Sequence, residues 1–500
     1  MCKNHSQQGI GAPSTPGMSG QYRPVPRAGD GSHILDKGQR STPSEMPIAS
    51  GEVGRRLLIR GGSVLSMDPQ VGDFACADIL ISGKHIEAIG PNIDAGDAAV
   101  IDAQGKIVMP GFVDTHHHQF ETALRGFLAD GILVNDGLPH SAINYYEDVL
   151  QKFALHYRPQ DVYINELFGS LSQIDAGVTT VMDVSQIHHS PDHSDAAVQA
   201  LQDAGRRAVF GYFEGWGEGA KYPQDAQRLK STYFSSDDQL LTMAMGGEIY
   251  LPGYADAWRI GRELGIPIAL HVVGTFGLRA TFDDLARSGQ FGTDNIFIHM
   301  TGMSDFAWQA AADAGAHISL SVPIEMTMRH GMPPIKKALD LGIQPSLSSD
   351  VECTMTADPF TQMRSAFTLQ RAFLNERALA GETDLPQMIT SRDAVRFATI
   401  EGAKGLKLDR KIGSLSPGKE ADIVLLDASA INVAPLNHVT GAVVTLMERS
   451  NVDTVLVAGV IRKWRGELVG FDVTKLRGEL EASRDHLFEI SGVRRDLFRG

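Results

Sequence analysis

The sequence predicts an α/β protein: a closed (β/α)8 barrel of the TIM type beside a small composite β-sandwich built from both ends of the chain. Three observations carry that expectation. Eight short apolar strands recur through the middle of the chain, most of them followed by a helix-like stretch or a long loop. Two sets of turn-separated strands bracket that middle. Histidines and an aspartate fall at the ends of four of the eight strands, which is where a barrel of this kind places its reactive groups.

Residues 1–50 are rich in Gly, Pro, Ser and Gln and show no hydrophobic period, so a flexible tail is expected there, able at most to clamp a neighbouring subunit. Residues 51–110 switch to alternating strands, "RRLLIRGGSVLSMD", "ADILISGKHIEAIGP" and "AVIDAQGKIVMPG", as the first part of the β-sandwich. Residues 111–405 carry the barrel, whose strands are read in "GFVDTHHH" and in 177–185, 206–213, 240–249, 266–274, 295–302, 316–323 and 344–350. Amphipathic stretches such as "SDAAVQALQDAG" and "SDFAWQAAADAG" lie between them, each ending in the glycine that commonly follows a helix. Residues 406–470 return to the sandwich with "GSLSPGKEADIVLLDA" and "NVDTVLVAGVIRKWRGELVG". Residues 471–500 form a C-terminal tail in which "TKLRGELEASRDHLFEI" reads as an amphipathic helix that docks on the barrel or on a second subunit.

Of the 500 residues 43% are hydrophobic, enough for a large core, and the formal net charge of −15 argues against a nucleic-acid surface. The three cysteines form no Cys-x-x-Cys pair, and no long apolar run suggests a membrane span or an export signal. The expected setting is cytoplasmic, the expected partner a small molecule, and the expected assembly a homo-oligomer.

Strand one ends in His116, His117 and His118, strand five carries His271, strand six His299, and strand eight ends in Asp350. Side chains alternate along a strand, so His116 and His118 share a face while His117 points away, to pack behind the barrel or brace a helix. Neutral imidazoles with one carboxylate suit Zn²⁺ or another first-row divalent ion, Fe, Mn or Co among them, with a position left open for water.

Together "VMPGFVDTHHH", "ALHVV", "FIHM", "SLSSD" and "GSLSPGKEADIVLLD" resemble, in order, the amidohydrolase superfamily in its cytosine-deaminase-like and triazine-hydrolase-like branch, over about residues 56–470. The resemblance implies that His116, His118, His271 and Asp350 hold the metal, that Asp350 also takes a proton from the attacking water, and that His299 orients water or polarises the substrate. Two departures matter. Strand four, "LLTMAMGGEI", lacks the lysine that bridges two ions in binuclear members, which implies a single ion. The position three after the strand-five histidine, where deaminases of this branch carry a proton-shuttling glutamate, is Gly274.

Gly274 makes the leading expectation hydrolysis of a C–N bond in a cyclic amide, urea-like or heterocyclic substrate whose leaving group needs little help. Deamination of a nitrogen heterocycle, with Glu248 or Glu325 as a substitute shuttle, is the alternative, and a non-catalytic binding or scaffold protein is the third reading. His188 and His189, after strand two, are candidate substrate contacts. Glu121 and Arg125, at i and i+4, are read as a helix-surface pair, and Met355, Phe360 and Met363 as core filling or pocket wall. His330 and six other histidines have no evident partners in sequence.

Overall fold

The computed structural model describes residues 46–47, 55–94 and 96–498, so the tail expected at 1–50 lies almost wholly outside the described residues. The described strands and helices all lie within the unit Pro47–Gly500.

Strands β1 (Arg56–Val64), β2 (Phe74–Ser82), β3 (His85–Gly90), β4 (Ala99–Asp102) and β5 (Lys106–Pro110) precede the barrel. The barrel strands are β6 (Phe112–His117), β7 (Val178–Ser185), β8 (Arg207–Tyr212), β9 (Leu241–Gly246), β10 (Ile268–Val273), β11 (Asn295–Thr301), β12 (His317–Leu320) and β13 (Ser346–Leu347). Strands β14 (Ile423–Asp427), β15 (Val452–Val457), β16 (Val460–Trp464) and β17 (Glu467–Leu468) follow.

The first and last groups merge into one nine-stranded sheet in the order β17-β16-β15-β14-β5-β1-β2-β3, with β4 paired to β1. Its seam is antiparallel β5·β14, from Ile423↔Pro110 to Asp427↔Lys106. Period-two alternation explains how the seam serves two cores: Ile423 and Leu425 join the sheet's own cluster with Ile59, Ile79 and Leu456, whereas Val424 and Leu426 join the larger core against the barrel helices.

The eight middle strands pair in parallel in sequence order, β6 through β13. The ring closes between its first and last members through the His117↔Asp350 bridge, with Asp350 N–H donating to His116 O and His118 N–H to Asp350 O, both at 2.9 Å. The interior is packed by residues such as Met182, Val184, Phe213 and Ile298, together with Leu406, Leu408 and Ile412 from the segment after the barrel. Side chains therefore fill the barrel, and reactive groups can gather only at the strands' C-terminal ends. The helix stop signals hold: Gly205 and Gly315 follow the helices Pro191–Ala204 and Asp305–Ala314 in the left-handed conformation, at φ 66° and 67°.

The C-terminal helix Val473–Ser491 docks on the barrel flank. Leu487 is fully buried, and the Phe488 ring lies 4.9 Å from Phe153 and 5.4 Å from Phe127. Among the described residues no helix is long and apolar enough to cross a membrane.

Candidate metal centre and active site

The ends of β6, β10 and β11 and the residue closing the ring after β13 bring five predicted side chains together. His116 Nε2 lies 2.9 Å from His118 Nε2 and 3.1 Å from His271 Nε2. Asp350 Oδ1 is 3.6 Å from His116 Nε2 and 3.5 Å from His118 Nε2, while its Oδ2 is 3.4 Å from His299 Nε2. Ligand atoms on the corners of a tetrahedron around an ion at about 2.0–2.1 Å stand roughly 3.3 Å apart, and these contacts straddle that spacing. His116, His118 and His271 form one group able to hold a metal ion, and His116, His299 and Asp350 a second that shares His116.

The electrostatics fit the same group. Burial, with neighbouring imidazoles adding to it, holds His116, His118 and His299 well below the usual histidine range, so their ring nitrogens keep lone pairs at neutral pH. Burial also lowers His271, but the Glu248 carboxylate at 2.6 Å from its Nδ1 outweighs this and raises it overall. Asp350 is pushed up to about 7 by burial, with His271 opposing. A buried carboxylate among neutral imidazoles is a set that a cation completes.

Carboxylates behind two of the rings orient them. Glu248 Oε1 takes the Nδ1 proton of His271, which directs Nε2 to the centre, and Glu325 Oε1 stands 3.1 Å from His299 Nδ1. His117 turns away as the alternation requires, its Nδ1 2.8 Å from Asp350 O. Backbone strain collects here: His299, Met300 and Asp350 have φ of 71°, 53° and 64°. The β10·β11 register steps from His271↔Ile298 to Val273↔Thr301, so β11 holds one extra residue where His299 and Met300 lie, and the bulge re-aims the His299 side chain.

A cavity of about 980 Å³ opens onto His118, His271, His299 and Asp350. Its walls are mainly aromatic and aliphatic, Tyr145, Leu150, Trp216, Tyr250, Phe276 and Met328 among them.

Four predicted substrate contacts fall elsewhere. His188 is buried on Phe210 and Tyr212 with Nδ1 2.9 Å from Ser194 Oγ, and His189 bonds Ala154 O and accepts from Trp216 N–H. Neither lines the cavity, although His189 positions the wall residue Trp216. Glu248 and Glu325 sit behind the histidines rather than in the cavity, which removes both as substitute shuttles. Glu121 and Arg125 do not pair: the 3-10 turn Gln119–Leu124 ends before Arg125, so Glu121 turns inward to the Tyr145 hydroxyl while Arg125 bonds Glu352. Phe360 and Met363 are core, and neither they nor Met355 lines the cavity.

Two lining residues escape the sequence reading. His330 sits with its ring 4.7 Å from that of His299, and Glu214 follows β8 by two residues. Glu214 lies just past a strand's C-terminal end, and that position was its available signal; His330 follows the helix Val322–Thr327, and no strand end marks it.

The amidohydrolase family model matches residues 261–462. A 5'-deoxyadenosine deaminase of Methanosarcina mazei is 25% identical over 453 residues, covering 86% of this chain and 98% of that protein. A 5-methylthioadenosine/S-adenosylhomocysteine deaminase of Thermoanaerobacter pseudethanolicus is 26% identical over 455 residues, covering 87% and 99%. Among solved structures, an adenosine deaminase from Xanthomonas campestris with bound zinc superposes with a TM-score of 0.74 at 21% identity, covering 88% of this chain and all of that one. Atrazine chlorohydrolase from Arthrobacter aurescens, complexed with zinc, gives 0.73 at 20%, covering 86% and 100%. Barrel, centre and relatives together define a metal-dependent hydrolase of carbon–nitrogen bonds. Over residues 261–462 the chain matches the amidohydrolase family, and its fold is that of the deaminase and triazine-hydrolase structures named above.

Proposed function

We propose that His116, His118, His271 and Asp350 hold one divalent ion, zinc foremost with iron, manganese or cobalt as alternatives, and that the protein hydrolytically removes an amino group from a nitrogen heterocycle bearing a sizeable substituent. When bound, such an ion lowers the pKa of a coordinated water toward neutrality. Asp350 accepts the proton that the attacking water releases, and His299, braced by Glu325, faces the same space to stabilise developing negative charge. Glu248 keeps His271 in the tautomer that presents Nε2. A single ion agrees with β9, whose residues Leu241–Gly246 include no lysine.

The observation that carries the substrate class is the cavity. At about 980 Å³ it stands at the upper end of small-molecule sites, with room for a flat ring and a group the size of a sugar. The deaminases named above act, by their names, on purine nucleosides of that bulk. A second reading, hydrolysis of an activated cyclic amide or urea, is favoured by Gly274, which supplies no acid to a poor leaving group.

The test is ammonia release from 5'-deoxyadenosine, 5'-methylthioadenosine, S-adenosylhomocysteine and aminotriazines, run beside ring-opening assays on cyclic amides and ureas. Turnover of an aminoheterocycle is expected. Turnover of amides and ureas alone selects the second reading, and inertness of every compound with one ion bound favours a binding protein. Elemental analysis is expected to show about one ion per chain, and two tightly held ions in active protein would overturn the single-ion assignment.

A further inference from the structure

Deamination of an aminoheterocycle needs an acid for the ring nitrogen as well as a proton for the leaving amine, and position 274 supplies no acid. A Cβ on Gly274 would lie 3.0 Å from Gly302 Cα and 3.3 Å from Thr301 O, so a side chain there requires the ends of β10 and β11 to move apart. Glu248 and Glu325 are committed behind His271 and His299. Three carboxyl groups line the cavity: Asp350, which belongs to the centre, Glu147, which is half-exposed, and Glu214, which is 5% exposed. Glu214 Oε1 accepts from Tyr250 OH at 2.6 Å and Gln186 Nε2 at 3.1 Å, both cavity residues, and its Oε2 is buried without a protein partner. Two donors on one oxygen hold the group in place, and the bare second oxygen has hydrogen-bonding capacity left for a ligand.

Resting on the proposed deamination, we propose that Glu214 donates the proton to the ring nitrogen of the substrate, the work that Gly274 leaves undone. Burial raises its pKa, and the nearby Glu248 carboxylate adds to this, so the neutral acid persists to higher pH than an exposed glutamate would allow. The other ionisable groups that face it are Tyr250, Tyr222 and His271, and it acts on each of them in return.

In the step it serves, water oxygen bonds to the amino-bearing ring carbon while one water proton goes to Asp350. The C=N pair moves to the ring nitrogen, which takes the Glu214 proton. Asp350 then gives its proton to the exocyclic nitrogen. As that C–N bond breaks and ammonia leaves, the carbon–oxygen double bond forms and the hydroxyl proton returns to Glu214. One water proton ends on ammonia and the other on Glu214, replacing the proton that Glu214 gave to the ring nitrogen, so both carboxyl groups recover their starting states.

The test compares wild type, Glu214→Gln and Tyr250→Phe, all metal-loaded, on the best aminoheterocycle of the panel. Glu214→Gln should lower kcat by about 10²- to 10⁴-fold with KM changed by less than about threefold and metal content unchanged. Tyr250→Phe should lower kcat by about three- to tenfold and shift the pH at which kcat/KM falls. Binding of unsubstituted purine ribonucleoside, followed by calorimetry, should weaken in wild type as rising pH ionises Glu214, and Glu214→Gln should abolish that dependence. The inference is overturned if Glu214→Gln keeps kcat within about threefold, or if both variants lose metal while kcat per bound ion stays constant. If wild type releases no ammonia from any aminoheterocycle, the deaminase reading fails. The pH-dependent binding then still reports whether Glu214 presents its proton to a ring nitrogen.

Discussion

Strand β8 begins at Arg207 and leads into Glu214, and both residues are buried ionisable groups on one short run of chain. Their partners differ. At the N-terminal end, Arg207 Nη2 contacts Glu420 at 2.6 Å and its guanidinium grips Asp422 through two bonds of 3.1 Å, tying the barrel to the nine-stranded sheet. Burial lowers the Arg207 pKa, but the two carboxylates outweigh it and raise it overall; Glu420 lies below the usual carboxylate range, because Arg207 outweighs burial there. At the C-terminal end, burial pushes Glu214 and Asp350 up and His116, His118 and His299 down, and Glu214 keeps a bare oxygen. Buried charge alone does not mark a site. The mark is buried ionisable chemistry that the protein leaves incomplete, at the strand ends where this fold places catalysis.

That contrast breaks first at His271. His271→Ala removes a central nitrogen and takes from Glu248 its imidazole partner, leaving it the backbone N–H of residue 271. Bound metal should fall to near zero and activity by at least about 10³-fold, with the far-ultraviolet spectrum retained. Elemental analysis and rate assays check this, and stoichiometric tightly bound metal in the variant would remove His271 from the centre.

Arg207→Met tests the other end. It strands the buried Asp422 carboxylate and leaves Glu420 with Lys84 as its cation, so stability should drop by about 3–5 kcal/mol, read as a lower urea midpoint, while metal content and kcat of the folded fraction hold. A fall in kcat without a fall in stability would mean that the two ends of β8 are coupled.

The sequence shows the barrel well because each strand is an apolar run bounded by turn residues, and it shows the central histidines because strand-end position is a topological property. The β11 bulge is not legible, since it arises from register against β10 rather than from any residue type. Gly274 is visible as a departure, but its cause, close approach to Gly302, exists only in three dimensions. Glu121 and Arg125 mislead because i, i+4 spacing presumes a continuing helix, and the turn ends between them. Glu248 follows β9 by two residues and Glu325 lies in the helix Val322–Thr327 after β12, yet both face the back of a histidine, an orientation that spacing does not encode. Glu214 was open to the same strand-end argument as the histidines, but it lies in no motif, "GYFEGWGEG", and only burial and its two donors single it out.

The smallest effect sharpens the contrast within one loop. Five residues past His299, Ser304 caps the helix Asp305–Ala314: its Oγ accepts the Ala307 N–H at 3.0 Å and donates to Asp283. His299 sits in a left-handed conformation and turns its ring to the centre, whereas Ser304 has an extended backbone, φ −69° and ψ 157°, of the kind expected before a helix. Ser304→Ala leaves a first-turn amide without its acceptor and should cost about 1 kcal/mol of stability. Because the helix also packs Ala307, Trp308 and Ala311 into the core, it should remain formed. Metal content, kcat and KM should therefore match wild type while the denaturation midpoint falls slightly. A loss of activity larger than the loss of stability would show that the loop transmits strain from its cap to His299, and the division between a strained centre and an ordinary scaffold would have to be drawn further from the metal.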